Sequence, residues 1–556
     1  MKNNSKHPYV DQLEAELDSG KIDRREFLRR SVLTGMSVAA AYGMVGLTVP
    51  GSALAQTPKK GGNLRVAMRV NPTDDPATSE WPRSSNIARH VIENLVDAGT
   101  DGISRPYLLK NWEASDDLKT WTLNLRQDVK WSNGDQFNAD DVVFNISRWL
   151  DPNTGSSMQG RLTGMTEEID TGEKNEDGSA KMSRVARKGA VTKVDEFTVR
   201  LQLNSADISL PESLSDYPAL IVHRDFKGKW LSNPIGTGPF SLEKVEAGVT
   251  AVLKRRTDGQ YWGEEPYLDQ ITYIDLGDDE SADIAAFASD QVDFAHNTPA
   301  SQVAAMKAIP HLDMIEVVTA ATGVARMRVD KKPFDDIRVR KAIMLSVDNA
   351  KVLEIGYQGL GQVAENHHVS PAHPAYAPLS NKPKRDVAKA KELLKEAGYP
   401  DGIDLRIDCT STPSWESETC LAIADQAREA GIRIKVNILP ASSYWETWQT
   451  APFGFTAWNH RPIAIQVLNL AYRTGGSWNE TGYANPEFDK LLDKASATLD
   501  AGERRKIMAD IEQTLQDDAI ILQAYWRSSF SAMNKRVKNM EKHVSFEHHF
   551  NKVWIS

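Results

Sequence analysis

Strict two-residue alternation of apolar and polar side chains recurs along this chain and predicts half-buried strands. Trp121, Leu123 and Leu125 alternate with Thr122 and Asn124, and Val129 and Trp131 continue the pattern up to Asn133-Gly134, a tight-turn dipeptide. Phe197, Val199, Leu201 and Leu203 form a second alternation, and Ile432, Ile434, Val436 and Ile438 a third. Helical periodicity is equally clear. Val387, Ala390, Leu393, Leu394 and Ala397 share one face ahead of the stop residue Gly398. Asn485 and Pro486 open a helix that turns Phe488, Leu491, Leu492 and Ala495 inward. From residue 384 to 439 the predicted order is helix, strand, helix, strand (384–397, 403–407, 419–430, 432–439), which implies a helix-covered sheet with right-handed crossovers. The stretch 100–225 carries hairpin signals and a polar, Gly-containing insertion near 168–190. The pattern thus predicts an α/β body with an extra β-rich subdomain.

A weakly apolar stretch runs from Ser31 to Val49, behind Arg24-Arg25-Glu26-Phe27-Leu28-Arg29-Arg30. Gly35, Ser37, Gly43, Gly46 and Thr48 dilute it below what a membrane span needs. Ala53-Leu54-Ala55 is the small-x-small pattern of a signal-peptidase site, which puts cleavage after Ala55 and makes 1–55 a removable signal. Arg24-Arg25 with Phe27-Leu28 resembles the twin-arginine export signal. No cysteine lies near the cleavage site, so lipid anchoring is excluded. The expected destination is the periplasm, as a soluble protein.

At 556 residues the chain is long enough for two or three domains. Its formal charge of −10, without a basic run beyond the N-terminus, excludes nucleic acid as a partner. Cys409 and Cys420 are too few for a disulfide scaffold; they form either one bridge or two buried thiols.

Signatures of catalysis are missing. There is no phosphate loop, no nucleophile elbow and no His-Glu-x-x-His helix, and Gly236-Thr237-Gly238-Pro239 does not complete a dinucleotide fingerprint. Asp140-Asp141, Asp335-Asp336 and Asp517-Asp518 are neighbours whose side chains point apart on a helix. His367, His368 and His373 form one histidine group, and His543, His548 and His549 another. His543 and Glu547 are four apart and could share a helix face, but no spacing matches a closed metal site. Neither an enzyme, nor a cofactor, nor a metal is expected.

Several segments together resemble the large bacterial solute-binding family that serves dipeptide, oligopeptide, nickel and opine importers. The mature start, Lys59-Lys60-Gly61-Gly62-Asn63-Leu64-Arg65-Val66, is similar to its opening strand. Trp112 to Asp117, Thr120 to Arg126, Val129-Lys130-Trp131 and Ala139-Asp140-Asp141-Val142 follow in the family's order. Pro234-Ile235-Gly236-Thr237-Gly238-Pro239-Phe240 carries its signature, and Phe334 to Ile343 and Asp386 to Tyr399 extend the match. The resemblance implies a two-lobed periplasmic-binding-protein (Venus-flytrap) fold with a two-strand hinge. Residues 56–98, 225–317 and 516–556 would form lobe I, 99–224 the inserted β-rich subdomain and 318–515 lobe II. The solute would be enclosed between the lobes, and closure would be a population shift read by the permease subunits of an ABC importer. The receptor is expected to act as a monomer.

In peptide-binding members, the stretch equivalent to 455–462 carries an aspartate for the peptide amine. Here it reads Phe455-Thr456-Ala457-Trp458-Asn459-His460-Arg461-Pro462, with no carboxylate. Arg461 suits a carboxylate or phosphate instead, its alternative being an ordinary salt bridge. Arg326 is a second candidate anion contact or a structural ion pair. His296 and Asn297 sit where the family presents pocket side chains, and Trp81, Trp445, Trp458, Trp478 and Tyr483 come from candidate loops. Flat rings of this kind stack on sugars, planar groups or cations. The leading expectation is a polar organic solute such as an opine-like conjugate, a modified peptide or an oligosaccharide. An ordinary di- or oligopeptide is the alternative, with a secreted hydrolase or histidine-based metal capture further behind.

Overall fold

The computed structural model describes residues 8–20, 22, 24–33, 36, 41, 44 and 57–556, apart from 101–102, 175–179, 280, 374, 381, 383 and 499. Cleavage after Ala55 falls outside these residues; Arg24 and Arg25 open the helix Arg24–Leu33. No described helix is long and apolar enough to cross a membrane. The chain forms two compact units. The first comprises residues 1–277, 286–296 and 533–556, and the second residues 278–285 and 297–532. These boundaries differ from the expected 318 and 516. Residues 297–317 join the second unit because the helix Val303–Lys307 packs on the strand Leu312–Met327.

The first unit is built on a sheet in which Asn63–Ala67 runs parallel to both Gln270–Ile274 and Phe294–Ala295, with the hairpin Phe240–Glu246/Thr250–Arg255 alongside. The β-rich insertion is a separate antiparallel sheet in the order Leu109–Ala114, Thr120–Leu125, Thr198–Gln202, Val191–Asp195. Trp121, Leu123, Leu125, Val199 and Leu201 are buried, as their alternation predicts. The helix Ala139–Leu150 starts at a reciprocal capping box between Asn138 and Asp141. The polar insertion is a solvent-exposed hairpin, Thr166–Lys174 with Ala180–Ala186.

The Gly-Thr-Gly-Pro segment is explained by proximity. A Cβ on Gly236 would lie 1.8 Å from the Val91 carbonyl oxygen, and one on Gly238 2.6 Å from that of His90. The close approach lets Gly238 N–H donate to Val91 at 2.8 Å, and the Gly236 carbonyl accept from Ser132 N–H at 2.8 Å.

The second unit contains the sheet Leu312–Met327, Phe453–Trp458, Ile403–Thr410, Ile432–Leu439. The first pair is antiparallel and the remaining pairs are parallel. The predicted helix–strand alternation is present as Val387–Glu396, Ile403–Thr410, Ser414–Ala427 and Ile432–Leu439. Ile432–Leu439 is an edge strand, so Ile432 is buried whereas Ile438 is exposed despite the regular alternation. Cys409 and Cys420 are buried free thiols in the core with Ile407, Ile423 and Ile432. Burial pushes the Cys420 thiol up.

Gly236→Ala is expected to cost about 3 kcal/mol, the upper end for a forced steric overlap. Urea unfolding of the variant against the parent checks this.

Candidate functional site

The second unit carries a chain of aromatic rings. Trp445 and Trp448 meet at 5.5 Å and 70°, Trp448 and Trp478 at 6.5 Å and 75°, and Trp478 and Trp458 at 5.8 Å and 59°. Trp445, Trp448 and Trp478 are half-exposed, whereas Trp458 is buried. Edge-to-face contacts of this kind hold flat apolar faces in fixed directions. Behind the rings lies one buried ion pair, with Arg326 Nε 3.1 Å from Glu480 Oε2. The rest of the Arg326 fork donates to the carbonyls of Trp448 and Ala451. Glu480 accepts from the Trp458 indole at 2.8 Å and from Thr456 Oγ1 at 2.5 Å. Arg326 pairs in register with Gly454, and a Cβ there would lie 2.7 Å from the guanidinium. The glycine therefore makes room for the arginine. Arg326 is spent inside the unit, which corrects its reading as an anion contact.

At the end of Phe453–Trp458 the chain continues through Asn459, His460 and Arg461 into the helix Ala464–Ala471. Asn459 is half-buried; His460 and Arg461 are buried. His460 Nδ1 accepts from Ala320 N–H at 3.0 Å, and its ring stacks on His373 at 6.1 Å. His373 Nε2 donates to the Arg461 carbonyl at 3.0 Å. His368 stands at 90° to the Trp458 ring and bonds Tyr472 Oη at 3.0 Å. Burial, then the charges of His373, His367 and Arg461, push the His368 imidazole down to about 3. It is therefore neutral at physiological pH, and in this corner Arg461 supplies charge while the imidazoles and ring hydroxyl supply directed hydrogen bonds.

The other candidates lie elsewhere. Tyr483 is buried and donates to Asp518 Oδ2 at 2.5 Å, so it locks helices together rather than facing a pocket. Asn297 accepts from Ser529 Oγ at 3.2 Å in the second unit. In the first unit, Trp81 precedes the helix Pro82–Arg89, with the Arg83 guanidinium 5.4 Å from its ring. His296 ends a buried relay, His90–Tyr273–His548–His296, with each link 2.9 Å. Lys542 Nζ donates to the His296 carbonyl at 3.0 Å, and burial brings that amine down to about 7.

His543, Glu547 and His549 do converge, their ligand atoms lying within 4.8 Å of one another. The convergence is an ion network rather than a metal seat. His549 bonds Asp97 at 3.2 Å and Glu547 at 3.3 Å, and Arg89 approaches Glu547 at 3.1 Å. His543 Nε2 donates to the Ala98 carbonyl and its Nδ1 accepts from Ser545 N–H, leaving no lone pair for an ion. Burial opposes charge on His549, but Asp97 and Glu547 outweigh it and raise the imidazolium to about 9.

Sequence reasoning missed Trp448, His368, His373, Tyr472 and Glu480 as members of this site. Trp448 was recoverable, because it lies three residues from Trp445 on a short helical stretch. Glu480 was not, since its role depends on a strand far away in sequence.

The described second unit thus combines an aromatic wall with one basic corner on an α/β sheet. The chain matches the model of bacterial extracellular solute-binding proteins, family 5 (middle), over residues 104–482, and it belongs to that family. It is thus the solute-binding component of an ABC importer. Dipeptide-binding protein DppE of Bacillus subtilis is 24% identical over 546 residues, 92% of this chain and 96% of the relative. Heme-binding protein A of Haemophilus influenzae is 27% identical over 482 residues, 81% and 84% of the two chains. Among solved structures, AgaA of A. tumefaciens R10 in complex with agropinic acid superposes with a TM-score of 0.76 at 25% identity, covering 89% of this chain and 99% of that one.

Two outcomes follow from the charges. Glu480→Ala leaves Arg326 buried without its carboxylate and is expected to cost about 3–5 kcal/mol in chemical denaturation. His90 and His543 are held down to about 3 and 4 by burial first, well below the usual imidazole value, and His296 and His548 are also held low. The unfolded chain therefore binds more protons than the folded one below pH 6.5, and stability falls as pH drops. His90 and His543 each remove about 2 kcal/mol between pH 6.5 and 5, and His296 and His548 act in the same direction. His549 acts oppositely: its contribution is complete below pH 6.5 and is lost as pH rises toward 9. A melting midpoint that drops steeply from pH 6.5 to 5 checks the acid limb.

Proposed function

We propose that this receptor captures an anionic polar conjugate of the opine type and delivers it to the importer's membrane subunits. The observation that carries the reading is the carboxylate-free stretch Trp458-Asn459-His460-Arg461, whose cation stands near the His368 imidazole, held neutral by burial. A carboxylate of the solute suits the arginine fork, and the sugar-like or ring portion suits the half-exposed faces of Trp445, Trp448 and Trp478. The agropinic acid held by the structural neighbour AgaA has the same chemical character. The accompanying reading is export through the twin-arginine route, cleavage after Ala55 and action as a monomer in the periplasm. A di- or oligopeptide is the second reading, favoured by relatives named as dipeptide- and oligopeptide-binding proteins. A peptide held by main-chain contacts would not require Arg461.

Thermal unfolding of the mature protein with agropinic acid, mannopinic acid, the dipeptide Met-Leu and a neutral oligosaccharide separates these readings. A ligand at a hundred times its dissociation constant adds about 2.7 kcal/mol to folded-state stability. The expected result is an upward shift with an opine that disappears in Arg461→Ala. A shift with Met-Leu alone, retained in Arg461→Ala, replaces the opine reading with the peptide one.

A further inference from the structure

Several buried guanidinium groups among the described residues have a carboxylate or a pair of carbonyls as acceptors. Arg326 has Glu480, Arg161 has Asp216 at 2.6 Å, and Arg340 donates to the carbonyls of Phe334 and Asp518. Arg527 differs. It is 8% exposed, makes no ion pair among the described residues, and its Nε has no acceptor. Its guanidinium carbon lies 4.2 Å from the Trp415 ring centroid and 6.0 Å from that of Tyr357. The Tyr357 hydroxyl also interacts with the guanidinium, so the contacts of Arg527 are aromatic rings and a phenol rather than a carboxylate. Arginine cannot shed its proton at any physiological pH, so burial without a carboxylate is a standing cost.

Trp415 is the second residue of the helix Ser414–Ala427, which begins just beyond the carboxyl end of Ile403–Thr410. That strand runs parallel to both Phe453–Trp458 and Ile432–Leu439. Ligands of open α/β sheets bind outside the carboxyl ends of such strands, where a helix N-terminus adds positive potential. The nearby acid, Glu416, accepts from Thr410 Oγ1 at 2.9 Å and lies outside ion-pair distance of Arg527.

We propose that Arg527 is an anchor for an anionic group of the solute, a carboxylate or phosphate gripped by its fork while Trp415 and Tyr357 hold the guanidinium plane. The inference rests on the reading that the solute is an anion, and it assigns a second cationic contact besides Arg461.

The test uses Arg527→Met, which keeps the length and apolar contacts, and Arg527→Lys, which keeps the charge without the fork. Midpoints are measured on the mature protein with no anion and with agropinic acid, acetate or inorganic phosphate, each against chloride at equal ionic strength. The expected result is a solute-free Arg527→Met that melts no lower than the parent, with affinity for the responding anion down by at least about thirtyfold. Arg527→Lys should fold like the parent and also lose affinity, which decides the matter if the methionine variant does not fold. A lower midpoint for Arg527→Met with an unchanged anion response makes Arg527 a structural residue and overturns the proposal. A response lost in Arg461→Ala but kept in both Arg527 variants overturns it while sparing the anionic reading. A response to acetate or phosphate but not to agropinic acid, lost in the Arg527 variants, keeps the anchor and discards the opine. Indifference of the parent to all three anions overturns both.

Discussion

The aromatic wall of the second unit depends on a single buried ion pair. Arg326 reaches across Gly454 to Glu480 and, with its remaining donors, fixes the carbonyls of Trp448 and Ala451. Glu480 in turn fixes the Trp458 indole. One pair therefore sets the positions of two tryptophans that are ten residues apart in sequence and belong to different elements. A buried pair of this kind adds little net stability compared with apolar packing, because desolvation consumes most of the attraction. What it supplies is direction: neither half of the wall can shift without breaking a hydrogen bond to a charge.

Charge is managed differently in the first unit. Five imidazoles lie close together there, and burial keeps His90, His296, His543 and His548 neutral while Asp97 and Glu547 hold His549 charged. The neutral rings pack like aromatics, with His548 stacked on Phe550 at 4.8 Å and His90 on Phe550 at 5.2 Å. The same residues that suggested metal capture thus attach the C-terminal segment to the unit through stacking and a balanced ion network. Spacing in sequence could not distinguish these outcomes, because the decisive facts are which ring nitrogen already holds a partner and whether Arg89 stands beside Glu547.

The family signature has a comparably local cause. Gly236 and Gly238 lie where the backbone of residues 90–91 leaves no room for a Cβ, so the segment reads as a motif because sterics admit nothing larger. Such constraints act through residue type alone and are legible in a sequence. Contacts that act through distance are not. Arg527 went unnoticed because nothing around it in the chain marks it; its significance is the missing carboxylate, and that appears only once Trp415 and Tyr357 close over it.

The sequence by itself determined the alternating strands, the helix caps, the β-rich insertion and the family. Each of these follows from side-chain periodicity of two or 3.6 residues, or from steric demands met within a short span. Only the tertiary structure decided that Arg326 and Tyr483 face inward, that Trp448 joins the wall, that Cys409 and Cys420 are separate thiols and that the histidines close on themselves. Those outcomes depend on burial and on partners more than a hundred residues away or on another element, which the order of residues along the chain does not encode locally.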